Sequence, residues 1–209
     1  MSKQISIPSI MNAVLNGFIE AQQNYENWSG GFWLWQAPEY LISTTVAKCI
    51  FALDGAKYIT LEHGSTTTLE DAGAKGIGRL PKDIREKGKV DILLWWGNNT
   101  PRATIEIKNQ IYSTGQYEKD IKRIGRFLQR NSQESSLQFG AFAFYESATS
   151  GPRKTAREKV NDRIKNIFQK SKRLLGNEYD VTINTSEIYE EFKNNAWSAA
   201  CILIKLKKK

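Results

Sequence analysis

"VDILLWWGNNTPRATIEIKN" (residues 90–109) decides the fold. Two apolar runs flank GNNTPR, whose Gly, Asn and Pro favour chain reversal, so the stretch reads as two strands joined by a turn. Side chains alternate along a strand. Thr104, Glu106 and Lys108 therefore share one face, and Ile105 and Ile107 take the other. Asp91 opens the first strand, and hairpin pairing would bring it near the Glu106–Lys108 end. The competing reading is an exposed sheet face with a cross-strand ion pair, worth well under about 1 kcal/mol. The neighbours argue against it. ILLWW (92–96) and FGAFAFY (139–145) predict central, covered strands, where charges rarely sit without purpose.

The rest of the chain supplies the covering. Residues 8–26 predict a helix with Ile10, Val14, Phe18 and Ala21 on one face. NWSGGFWLWQ (27–36) is a turn holding three of the six tryptophans, suited to an oligomer contact or a lid. Residues 38–53 predict a second helix. Pro38 suits its first position and Glu39 its dipole, and the buried stripe is Leu41 or Ile42, Val46, Cys49, Ile50 and Leu53. KYITLEHG (57–64) is a strand, and 65–89 reads as a long basic connection whose glycines fit no phosphate-binding loop. Residues 114–130 and 153–176 predict basic helices. In the first, Ile121, Ile124 and Leu128 face inward, while Lys122, Arg123, Arg126 and Arg130 project outward. Residues 137–147 form a strand, EYDVTINTSEIYEEF mixes a short strand with a helical turn, and AWSAACILIKL closes as a strand. The order predicts an α/β fold, a mixed central sheet with helices on both faces. No repeat or linker divides it, so 1–209 reads as a single domain.

Composition bounds the chemistry. The chain has 209 residues, 40% hydrophobic and 25% charged, enough for one domain with a real core. No apolar run approaches the roughly 20 residues that span a bilayer, and the start lacks a secretory leader, so a cytoplasmic protein without membrane contact is expected. Cys49 and Cys201 sit in apolar stretches and read as buried thiols. With His63 the only histidine, neither a zinc site nor a His-dependent nucleophile is indicated. A net charge of +8 favours a polyanionic partner.

Two converging carboxylates repel unless a cation lies between them. A hard ion such as Mg²⁺ takes oxygen ligands, polarises a phosphoryl oxygen and acidifies water, and a neighbouring lysine can stabilise the charge that develops. Asp91 followed, after residues 92–105, by Glu106-Ile107-Lys108 resembles the PD-(D/E)xK, restriction-endonuclease-like nuclease superfamily. Val90 stands where the name-giving proline would be. The element order is also similar to that family's core, over about 38–147, with N- and C-terminal additions. The resemblance implies a Mg²⁺-dependent nuclease, with Mn²⁺ substituting, that hydrolyses phosphodiester bonds in DNA. These residues do not separate DNA from RNA. Asp91, Glu106 and Ile107 would surround the metal, and Lys108 would support the attacking water and the transition state. A further Glu, for which Glu39, Glu20 and Glu62 are candidates with Glu39 favoured, would complete the shell. Gln116 is the candidate on the following helix, ahead of Lys119 or Arg123. Lys75, Arg79, Lys82, Arg85, Lys122, Arg123 and Arg126 would line a phosphate-contacting cleft. Relatives of this kind pair to cut both strands, which implies a homodimer. The alternative is an inactive nuclease fold that binds nucleic acid or a protein partner.

Overall fold

A computed structural model of the chain describes residues 4–76, 78, 80, 84, 88–191 and 194–207. The first helix, α1 (Ile7–Ser29), begins where the Ser6 hydroxyl accepts the Ser9 N–H and ends at Gly30, whose φ of 75° lets the chain turn away. A 3-10 turn (Leu34–Gln36) leads to α2 (Glu39–Phe51). Strand β1 (Lys57–Gly64), the short helix α3 (Ser65–Asp71), β2 (Lys89–Trp96) and β3 (Pro101–Lys108) come next. A second 3-10 turn (Thr114–Gln116) precedes α4 (Glu118–Gln129), then β4 (Phe139–Thr149), α5 (Ala156–Leu175), β5 (Tyr179–Thr185), β6 (Tyr189–Glu191) and β7 (Asn195–Leu206).

The strands make one mixed seven-stranded sheet in the order β1-β2-β3-β4-β7-β5, with β6 also on β7. Strands β3 and β4 are parallel, with Glu106 opposite Phe142 and Lys108 opposite Phe144, and the other pairings are antiparallel. Helices cover both faces. Ile105, Ile107, Ala141, Ala143 and Tyr145 pack with Ile10, Val14, Phe18, Ile42, Val46 and Ile50 of α1 and α2. Phe142, Phe144, Ile202 and Ile204 pack against Ile121, Ile124, Val160 and Ile164 of α4 and α5. The parity that buries Ile105 and Ile107 under α2 turns Glu106 toward α4. Among the described residues no helix is long and apolar enough to cross a membrane.

Two expectations are corrected. The connection 65–89 opens with α3, held by Thr68 Oγ1 donating to the Gly64 carbonyl and by the buried Leu69. Three threonines in a row hid a helix that tertiary packing stabilises over propensity. EYDVTINTSEIYEEF holds two strands rather than a strand and a helical turn, because the long β7 offers pairing partners to both.

Helix α2 is seated by Gly17 of α1. A Cβ there would stand 2.5 Å from the Val46 Cα. Alanine is favoured over glycine in a helix by about 1 kcal/mol. The clash is with backbone, which has no flexible end to move aside, so overpacking outweighs propensity. Gly17→Ala is expected to destabilise the fold by roughly 1–2 kcal/mol net, read as a lower midpoint in urea unfolding. An unchanged or higher midpoint would refute the close approach.

Candidate active site

The sheet gathers polar side chains at the C-terminal end of β3. Asp91 comes from β2, Glu106 and Lys108 from β3, Glu39 from the first position of α2, and Asp120 and Arg123 from α4. Asp91 Oδ2 accepts the Ile107 N–H at 2.7 Å, which fixes this carboxylate on the motif strand. Lys108 Nζ donates to Glu39 Oε1 at 3.0 Å and lies 3.6 Å from Asp120 Oδ2. The Asn109 N–H donates to Glu39 Oε2 at 3.0 Å. Asn109 Nδ2 donates to the carbonyls of Leu34 and Ala37, pinning the approach to α2 onto the end of β3. The Arg123 guanidinium donates to Glu106 Oε2 and, at 3.1 Å, to Asp120 Oδ1. Glu106 is buried, and its Oε1 has no hydrogen-bond partner among the described residues.

Burial sets the electrostatics. It pushes the Asp91 carboxyl up to about 6, against the Ile107 N–H and the Lys108 charge, which favour the anion. Burial also raises Glu106; the Arg123 charge opposes this, while Asp91 and Asp120 add to it. For Lys108, desolvation pulls downward, but Glu39 and Asp120 outweigh it and hold the ammonium above its ordinary range. Lys108 is therefore a cation and a donor at neutral pH.

Of the three glutamates that could complete the shell, Glu39 is the one the fold brings to Lys108. Glu20 pairs with Lys48 at 2.6 Å on the far side of α2, and Glu62 is an exposed residue 3.6 Å from Lys89. Gln116 points elsewhere. Its amide oxygen accepts the Tyr112 and Ser113 N–H groups, capping the 3-10 turn in an exposed position. Arg123 does not project outward; it is buried against Glu106. The helix face predicted to be basic thus carries Lys122, paired with Glu118, and the exposed Arg126. Lys75 pairs with Glu70. Arg79, Lys82 and Arg85 lie outside the described residues.

Asn109 and Asp120 are the members that sequence reasoning missed as parts of the site, and Arg123, ranked there behind Gln116, is the helix residue that reaches it. Asp120, Arg123 and Phe127 share i, i+3, i+7 spacing, and the apolar Phe127 was the signal that this flank of α4 turns inward.

Among the described residues no group of three or more His, Cys, Asp or Glu side chains is placed to hold a metal ion. The donors present still fit a hard cation. They are two carboxylates and the Ile107 carbonyl, which Lys108 Nζ approaches to 3.2 Å; the Ile107 side chain is committed to the core. A buried carboxylate oxygen without a donor, as at Glu106 Oε1, is costly, and a cation is a partner suited to it.

No protein-family model, curated protein or solved structure matches this chain.

A further buried carboxylate lies beyond Asn109. Glu146 of β4 accepts from Gln110 Nε2 at 3.1 Å and from the Ile111 N–H at 3.2 Å, with Arg163 Nη1 3.7 Å away. Burial raises it from 4.5 to about 7. A carboxyl raised on folding contributes stability that is complete below about 4.5 and lost as the pH climbs to about 7. That loss is roughly 3 kcal/mol. Glu146→Gln is expected to flatten this part of the pH profile, read as urea midpoints between pH 4 and 8. An unaltered slope in the variant would exclude Glu146 as its source.

Proposed function

We propose that the chain is a Mg²⁺-dependent nuclease of the PD-(D/E)xK, restriction-endonuclease-like type, hydrolysing phosphodiester bonds in DNA, with Mn²⁺ able to substitute. The observation that carries this reading is the convergence of Asp91, Glu106, Lys108 and Glu39 at one end of β3, with Glu106 Oε1 lacking a partner among the described residues. Asp91, Glu106 and the Ile107 carbonyl would hold the ion. When bound, it supplies positive charge against the phosphoryl oxygen and a more acidic water. Lys108 presents its ammonium to the charge that builds on the scissile phosphate and to the attacking water. Glu39 holds that ammonium in place, and Asn109 holds Glu39. Arg123 favours the anionic form of Glu106 against the burial that raises it, and fixes its orientation before any ion arrives. The exposed Lys122 and Arg126 of α4 and Lys75 after α3 would meet flanking phosphates, which predicts steeply salt-dependent binding. Two copies would be needed to cut both strands together.

The test is cleavage of plasmid and linear DNA with Mg²⁺, Mn²⁺ or EDTA. Metal-dependent cutting that Asp91→Ala abolishes is the expected result. Cutting by Asp91→Ala at the wild-type rate would refute the proposal. A second reading, a nuclease-like fold that binds nucleic acid or a protein partner without cutting, is favoured by the Arg123–Glu106 pair, which already neutralises one of the two carboxylates. Salt-sensitive DNA binding indifferent to metal and to Lys108→Ala would select it.

A further inference from the structure

A cavity of about 450 Å³ opens beside this site, at the ends of β4 and β7. Its walls include Trp33, Trp35 and Tyr112, with Gln110 and Arg163 as polar neighbours. The connection to the site is covalent and hydrogen-bonded. Gln110 and Tyr112 come after Lys108 on the same strand exit, and the turn carrying Trp35 is pinned by Asn109 Nδ2. Trp35 and Tyr112 are 44% and 72% exposed, costly positions for aromatic rings that only pack a core. A second cavity, about 340 Å³, shares Tyr112 and Arg163 with the first and adds Thr114 and Lys170. Tyr112 and Arg163 thus stand between two adjoining hollows.

The floor of the first cavity is tied together by hydrogen bonds. Gln110 accepts from the Ser147 N–H and hydroxyl and donates to Glu146, while Arg163 Nη1 donates to the Ser147 carbonyl at 2.7 Å. Gln110, Ser147 and Glu146 of this floor bind each other, and the exposed rings of Trp35 and Tyr112 stand over them. Such rings suit a planar π-system, the chemistry of base stacking in single-strand binding. A cationic guanidinium at the rim suits the phosphate attached to such a base. The volume is in the range of small-ligand pockets.

We infer that this cavity receives one unpaired nucleobase of a nucleic-acid strand, stacked on Trp35 and Tyr112, with its phosphate on Arg163. The site would thereby act on strands with a single-stranded end, gap or distorted base pair next to the bond at Lys108. This inference rests on the nuclease reading for its orientation, but the binding it describes does not depend on cutting.

The experiment measures binding in EDTA, where no cleavage occurs. Fluorescence anisotropy would follow a duplex with a single-stranded overhang, carrying 2-aminopurine in the overhang, and a blunt duplex of equal length. Wild type, Trp35→Ala and Tyr112→Ala would be compared. Stacking predicts that the wild type quenches 2-aminopurine and that each aromatic variant binds the overhang roughly 10-fold or more weakly. Binding of the blunt duplex should be unchanged. Both aromatic positions are exposed, so unaltered thermal unfolding is expected and would separate lost stacking from lost folding. Equal overhang affinity in wild type and both aromatic variants, or no quenching, would overturn the inference, as would a cavity that takes an aromatic peptide but no oligonucleotide. The two readings fail separately. Cutting lost in Asp91→Ala with no aromatic dependence of binding would sink this inference alone. Aromatic-dependent binding without any cutting would sink the nuclease reading alone.

Discussion

Arg123→Met is expected to destabilise the chain by about 3–5 kcal/mol above neutral pH, where Glu106 ionises, the usual effect of breaking a buried ion pair from one side. The two partners are 7% and 1% exposed, so little water can replace the lost guanidinium. Asp120 keeps Lys108 3.6 Å away, which leaves Glu106 as the group stranded by the change. Without Arg123, burial together with Asp91 and Asp120 raises the Glu106 carboxyl with nothing to oppose them. A carboxyl raised on folding is tolerated while protonated, below its unfolded value of 4.5, and its stability contribution falls away as the pH rises through the raised folded value. The deficit should therefore be small near pH 4 and largest above neutrality. Urea unfolding at pH 4 and pH 8 measures it. The double change Arg123→Met with Glu106→Leu should recover most of the loss, since apolar residues of similar volume replace buried ion pairs at little cost. A deficit equal at both pH values and not relieved by Glu106→Leu would mean that Arg123 acts through packing alone.

Ion pairs of this kind rarely add net stability, so the pair's main effect is on where Glu106 is held. The hairpin, its register end and the Asp91–Glu106–Lys108 convergence are legible in the sequence because strand parity is strict and GNNTPR is a strong reversal signal. The two helical layers are legible for the same reason: Ile10, Val14 and Phe18, or Ile121, Ile124 and Leu128, repeat at the helical period. The partners of those residues are not. Whether a charge on α4 turns inward depends on the position of the helix over β3 and β4, where a Cβ on Gly140 would collide with Ile124 Cγ2. That close seating brings Arg123 onto Glu106; the Phe127 spacing signals an inward flank but not the carboxylate that Arg123 meets. Gln116 escapes the sequence pattern because a side chain three positions after Ser113 serves equally as a cap, and capping needs no distant partner. The choice among Glu39, Glu20 and Glu62 likewise turns on tertiary placement. Asn109 makes that choice by tying the entry of α2 to the end of β3.

Under the proposed nuclease function, Lys108→Ala is expected to lower metal-dependent cleavage by about 10²–10³, the typical effect of removing one preorganised donor from the charge that develops in the transition state. Stability should change by no more than about 1 kcal/mol, because each partner of Lys108 keeps another. Glu39 retains the Asn109 N–H, and Asp120 retains Arg123. Two roles for the lysine make opposite predictions for a charge-keeping substitution. As a general base it would need to be neutral near pH 7, and Glu39 and Asp120 hold it well away from that. As a cationic donor it needs charge more than shape. Lys108→Arg should then keep a measurable part of the rate, reduced because a planar guanidinium sits differently against Glu39 and the phosphate. Lys108→Met, which keeps the stem without the charge, should be as impaired as Lys108→Ala. Initial cleavage rates of the three variants at saturating metal decide between the roles. Equal loss in the arginine and methionine variants, together with a wild-type rate that rises with pH as an ammonium deprotonates, would move Lys108 from charge stabilisation to proton transfer.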